Sequence, residues 1–165
     1  MNGVPKLDRI DINILATLQS QGNITNIKLA EAVGLSPSPC LQRLKRLEKA
    51  GYIERYHAVL NLKKLADHVV IFTEITLADH RSQDFQKFEA AIRKHDNVME
   101  AHLLSGGYDY LLKFVARNLT QYQEIMEDLL DRNLGIDKYF SYVVIKPVMT
   151  RNAVPLHDLV NRPEP

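Results

Sequence analysis

The stretch from Thr25 to Gly51, TNIKLAEAVGLSPSPCLQRLKRLEKAG, restricts the fold more than any other part of the chain. Thr25 predicts the cap of a helix, and Ile24 and Leu29 stand where apolar residues staple an incoming chain to a first turn. Gly34 offers the backbone freedom for a sharp turn. Ser36 predicts the next cap, with Pro37 at the first helical position, where a missing N–H costs nothing. Pro39 still lies among the N–H groups that lack intrahelical partners. Leu35 and Cys40 repeat the staple, and Gly51 supplies the stop. Two short helices joined by a tight turn follow from this punctuation, which is the helix-turn-helix arrangement.

On the second helix, Cys40, Leu44 and Leu47 share one side, with Leu41 at its flank. Ser38, Gln42, Lys45, Arg46 and Lys49 point roughly the opposite way, and Arg43 sits on the border. Ser36, Ser38, Pro39 and Gln42 lie towards the N-terminal end, which meets base edges when such a helix enters a DNA groove. Arg43 and Arg46 have the planar fork that pairs with guanine, whereas Lys45 and Lys49 suit phosphates. A solvated, lysine-rich surface helix is the plain alternative. The preceding helix, turn and caps favour double-stranded DNA as the partner, and charge reversal at Arg46 is expected to abolish binding.

Charge distribution agrees. The 165 residues carry a net charge of +1, so the chain as a whole is no polycation. Residues 1–60, however, hold eight Lys/Arg against five Asp/Glu, and the remainder holds thirteen against fifteen. A hydrophobic content of 45% supports packed cores rather than disorder. The lone Cys40 has no internal disulfide partner and lies on an apolar face, which predicts a buried thiol and fits a reducing compartment. No apolar signal core begins the chain and no uncharged run approaches a membrane span, so cytoplasm without membrane attachment is the expectation.

Leu7, Ile10, Ile14 and Leu18 mark a first helix, with Asp8 and Asp11 near its start in a capping and solubilising role. Three helices therefore fill about residues 8–50. Tyr52 to Leu60 is β-prone and predicts a strand leaving the head, and residues 61–67, NLKKLAD, predict a turn or short helix. Beyond it, strands are expected at Val69–Leu77, Val98–Leu104, Tyr108–Ala116 and Tyr139–Ile145. Helices are expected at Ser82–His95, with Phe85, Phe88 and Ile92 inward, and at Leu119–Asn133, where Tyr122, Ile125, Met126, Leu129 and Leu130 cluster. The order βαββαβ is the ferredoxin-like one, an α+β sheet with helices over one face. The other face also carries apolar residues, and a second copy is the simplest cover. Domains are thus expected at 1–60 and 61–150, with a tail over 151–165. In that tail Val154, Leu156, Leu159 and Val160 suffice to dock on a neighbour, while Pro163 and Pro165 predict fraying at the end.

Leu7-Asp8-Arg9-Ile10-Asp11, the segment GLSPSPCLQRLKRLEKAGYI at 34–53, HLLSGGYDYLLK at 102–113 and YVVIKPV at 142–148 together resemble the Lrp/AsnC, or feast/famine, family of transcriptional regulators. The resemblance runs over about residues 6–150 in the expected order. It implies a winged helix-turn-helix head and a ligand-regulated body, the RAM domain, which is ACT-like. It also implies dimers that assemble into tetramers, octamers or larger rings, and binding of promoter DNA under the control of an amino acid. Leucine or methionine is the effector expected on this resemblance, and no cofactor is implied.

Residues Leu104 to Asp109, LSGGYD, have a physical rationale as that effector's site. Adjacent glycines let backbone N–H groups approach a carboxylate, Asp109 can accept from an α-ammonium, and Tyr108 can form a wall. The resemblance adds that the effector sits at this loop where bodies meet, aided by a hydroxyl from the final strand, which Ser141 matches. Tyr139 stands where a Thr is common, and Gly107 where close relatives carry an acid. Gly106-Gly107 reads equally as an ordinary hairpin turn, Asp109 as the residue holding that turn, and Ser141 as an exposed strand serine. An enzyme, or a metabolite-binding oligomer whose head serves protein contacts, are the rivals. The six histidines have no metal-ligand spacing, with His102 expected to be packed or half-buried, and GxxxxGK[ST], GxGxxG and GxSxG are all absent. Catalysis has no constellation to stand on.

Overall fold

The computed structural model describes residues 6–160, which separate into two compact units. The first joins residues up to 59 with those from 149 onward; the second spans 60–148.

In the first unit, α1 (Arg9–Ser20), α2 (Asn26–Val33) and α3 (Pro37–Lys49) close around fully buried Ile14, Leu29, Cys40 and Leu47. Their ends follow from single residues. Thr25 Oγ1 accepts from Lys28 N at α2, and Gly34, at φ +71°, closes that helix in the left-handed conformation. Gly51, at φ +77°, follows α3 in the same way. Ser36 caps α3 by position only, because its side chain makes no cap hydrogen bond. Asn26 Nδ2 donates to Pro37 O at 2.9 Å, which ties the start of α2 to the start of α3.

Two expectations change here. Tyr52 to Leu60 forms no strand: residues 53–61 carry no helix or ladder, and 54–61 are exposed. Strand structure exists only as hydrogen bonds to a partner strand, and one chain offers this segment none. The C-terminal segment docks within its own chain. A short helix, α6 (Leu156–Val160), packs against α1, and Val154 N donates to Gln19 Oε1 at 2.8 Å. Pro163 and Pro165 lie outside the described residues.

The second unit opens with a single 3-10 turn at Leu62–Lys64, then runs β1 (Val69–Leu77), α4 (Ser82–Ile92), β2 (Val98–Leu103), β3 (Tyr110–Ala116), α5 (Leu119–Asp131) and β4 (Ile136–Val143). The sheet order is β2-β3-β1-β4 with every pair antiparallel, the ferredoxin-like arrangement the βαββαβ order predicts. Strict alternation along β1 and β3 decides which face is buried. Ile71, Ile75, Leu112 and Phe114 point to Phe88 and Ile92 of α4 and to Ile125, Met126 and Leu129 of α5. The other face reads, across the strands, Glu100–Lys113–Phe72–Tyr142 and His102–Leu111–Glu74–Phe140. His102 is therefore not packed as expected. It lies on an edge strand of the open face, its side chain 56% exposed and 3.5 Å from Glu100.

Candidate DNA-binding and effector sites

On α3, Ser38, Gln42, Lys45 and Lys49 recur at the spacing of one helical stripe, and all four are exposed. Ser36 and Pro39 are exposed at the helix start. Among the described residues neither Lys45 nor Lys49 has an ion-pair partner, so each ammonium stands free for an external anion. Burial of Cys40 and Leu47, with Leu44 partly buried beside them, on the opposite side turns this stripe outward.

Arg43 and Arg46 are arranged differently. Arg43 Nη1 lies 2.6 Å from Asp8 Oδ2 and 2.9 Å from Asp11 Oδ1, and Arg46 Nη2 lies 2.5 Å from Asp11 Oδ2. Asp11 is fully buried, and its Oδ2 also accepts from Asp8 N at 3.1 Å, while Asp8 Oδ1 accepts from Asp11 N at 2.8 Å. The two acids form a capping box on α1 and simultaneously receive two guanidinium groups from α3. The Asp11 N–H, and after it the Arg43 guanidinium, hold the Asp8 carboxyl below the usual carboxylate range. Asp8, and then Asp11, raise Arg43 further above its already high value. Burial pushes the Cys40 thiol up, which suits a packing residue rather than a nucleophile.

This four-residue cluster was missed in the sequence, although a signal was present. Acids one turn apart at 8 and 11 face arginines one turn apart at 43 and 46.

In the second unit, residues 104–107 are exposed and Tyr108 and Asp109 half-buried. Asp109 anchors the loop to the end of β1: its N–H donates to Ile75 O at 2.9 Å, and its Oδ2 accepts from Leu77 N at 2.7 Å. Its O accepts from Leu104 N at 2.8 Å, closing the loop on itself. His80 Nε2 lies 2.9 Å from Asp109 Oδ1, so both carboxylate oxygens have partners within the chain. Gly106 and Gly107 have neither a positive φ nor any atom within 4 Å of an added Cβ. They do not form a primed hairpin turn, which requires positive φ.

Ser141 lies on β4 opposite Thr73 of β1, whereas the loop joins β2 to β3. Its Oγ is 2.5 Å from the Tyr122 hydroxyl, which is also 2.8 Å from buried Thr73 Oγ1. Among the described residues no hydrogen bond joins Ser141 to residues 104–109. Burial raises Tyr122 against the opposing pull of these two hydroxyls. A separate cavity of about 290 Å³ lies between α4 and β2, lined by Glu89, Arg93, His95, Glu100 and Tyr110 among others; residues 104–109 do not line it.

Two family models match. Residues 7–54 match the winged helix-turn-helix DNA-binding model, and residues 70–154 match the Lrp/AsnC ligand binding domain. The chain is 43% identical to the transcriptional regulatory protein DoeX of Halomonas elongata, over 90% of this chain and 94% of that one. It is 42% identical to the leucine-responsive regulatory protein of Salmonella typhimurium, over 88% and 89%. Among solved structures, a transcriptional regulator of Neisseria meningitidis in complex with L-Met superposes with a TM-score of 0.87 at 34% identity, covering 93% of this chain and 99% of that one. An AsnC family transcriptional regulator of Agrobacterium tumefaciens gives 0.86 at 28% identity, with the same coverage. An outward-facing recognition helix and a ferredoxin-like ligand-binding domain thus occur together over nearly the whole chain, which belongs to the Lrp/AsnC family of DNA-binding transcriptional regulators.

Proposed function

We propose that this chain occupies promoter DNA through α3 of paired heads, and that a free amino acid at the 104–109 loop sets that occupancy. The observation that carries the DNA contact is the exposed stripe Ser38, Gln42, Lys45 and Lys49. One head is small, so two heads of a dimer reach successive grooves on one face of the duplex. The remaining proposed contacts are Ser36, whose hydroxyl is not used in capping, and Pro39 at the helix start.

Leucine or methionine is the proposed effector. Two observations support the class: a leucine-responsive regulatory protein is 42% identical, and the Neisseria regulator carries L-Met. Leu104, Ser105, Gly106, Gly107 and Tyr108 would supply the loop and wall, and Asp109 would hold the loop in place. Glycines that their own chain does not require fit a loop whose backbone must approach a ligand. The exposure of 104–107 in one chain fits a site completed by a second body. Ser141 belongs to it only if the Tyr122 contact is exchanged for a ligand contact.

The protein acts, in this reading, in the cytoplasm and without catalysis, as dimers assembling to tetramers or octamers. Control requires the amino acid to prefer one assembly over another, because equal affinity for both shifts nothing. Calorimetric titration with each of the common amino acids, followed by sedimentation, tests it. Heat and a change in assembled mass with leucine or methionine are expected; neither with any amino acid would end the effector reading.

A further inference from the structure

We infer that Asp11 is the positioning residue of the DNA-binding face: its buried carboxylate holds Arg43 and Arg46 against α1 and leaves phosphate contact to Lys45 and Lys49. This rests on the reading of α3 as the DNA-contacting helix and divides its cations into two groups.

The geometry carries the division. A carboxylate with no exposed surface must be compensated, and Asp11 has Arg43 on one oxygen and Arg46 on the other. The two arginines leave α3 one turn apart, on the flank nearest α1, and meet two acids one turn apart on α1. Such a double pairing resists both sliding and rotation of α3, which a patch of apolar contacts alone resists less. It therefore fixes the direction in which the Ser38–Lys49 stripe points.

Charge follows the same line. Asp8, Asp11, Arg43 and Arg46 sum to zero, so the cluster presents no net cation to a polyanion. Release of counterions from DNA depends on the phosphates a protein neutralises. Lys45 and Lys49, exposed and without acidic partners among the described residues, are the groups on α3 that can supply that neutralisation.

The dependence of binding on salt separates the two groups. The full-length protein is titrated with a mixed-sequence duplex spanning two successive major grooves, at several salt concentrations. Lys45→Gln and Lys49→Gln are each expected to flatten the slope of log affinity against log salt by about 0.9 per head engaged. Arg46→Gln should leave that slope within error while lowering the thermal stability of the head. Asp11→Asn should steepen the slope, because Arg46 loses its acidic partner and is released toward phosphate, while Arg43 keeps Asp8. Should Asp11→Asn fail to fold, the contrast between Arg46→Gln and Lys49→Gln decides alone. Equal flattening by Arg46→Gln and Lys49→Gln would overturn the division while leaving α3 as the DNA-contacting helix. A slope that none of the lysine or arginine variants alters would instead remove the DNA reading of α3. Charge reversal at Arg46 is a poorer test, since it sets a carboxylate against buried Asp11 and disturbs folding and binding together.

Discussion

At the scale of single residues, one carboxylate can cap its own helix and restrain another. Asp8 accepts from Asp11 N and pairs with Arg43, so Asp8→Ala removes a cap and an ion pair at once. Loss of the cap alone is expected to cost about 1 kcal/mol, read as a lowered denaturation midpoint of the head. The effect is also pH-dependent, with a defined sign. Asp8 is held below its ordinary value in the folded head, so its stabilisation is present at neutral pH and fades as pH falls through the depressed value. An acid titration of stability should therefore be shallower in Asp8→Asn than in the unaltered protein; superimposable curves would show that the pair contributes nothing. The hydroxyl chain Thr73–Tyr122–Ser141, buried at Thr73 and Tyr122 and exposed at Ser141, makes a comparable case in the second unit. Tyr122→Phe leaves fully buried Thr73 without this partner and should cost about 1–3 kcal/mol by chemical denaturation.

At the scale of elements, glycines at different positions answer to different demands. Gly34 and Gly51 sit at φ +71° and +77°, where a side chain strains the backbone. Alanine at either should destabilise the head by about 1–2 kcal/mol. Gly106→Ala and Gly107→Ala should leave the denaturation midpoint unchanged, since neither position is strained or crowded. If the loop receives an amino acid, the same two substitutions should weaken the calorimetric signal several-fold; undiminished binding would move the effector elsewhere. These contrasts also explain what the sequence makes legible. Helix ends in the head were readable because Thr25, Gly34, Pro37 and Gly51 act locally, and β1 was readable in full because alternation over Val69–Leu77 is a local pattern. The early end of α4 at Ile92 and the start of β4 at Ile136 instead depend on neighbours brought from elsewhere in the chain. The acids that face Arg43 and Arg46 lie more than thirty residues away, so a helical wheel of α3 alone, which puts Arg46 outward and Arg43 on the border, could not show these pairs.

At the scale of the whole molecule, the assembly proposed above needs a surface, and the open face of the sheet offers one. Phe140 and Tyr142 are more than half exposed on β4, beside Phe72 and Leu111, a combination that one chain leaves in water. Two pairs of polar groups meet on the same face: Lys113 Nζ lies 2.6 Å from Glu100 Oε1, and the Tyr142 hydroxyl donates to Glu74 at 3.2 Å. Lys113 holds the Glu100 carboxyl below its ordinary range, so the pair remains charged and internally compensated at neutral pH. A surface that leaves these aromatic residues in water is suited to meeting its own copy across a two-fold axis. Phe140→Glu tests this directly, because Phe140 pairs with Glu74 across the strands and the new carboxylate would oppose both Glu74 and its counterpart. Sedimentation should show the assembled mass falling to that of smaller species, with far-UV circular dichroism unchanged because the side chain lies outside the core. Affinity for a two-site duplex should fall by about 10²–10⁴-fold as linked heads become separate ones, while a duplex offering one site loses little. An unchanged mass in that variant would rule out this face as the surface of the proposed assembly.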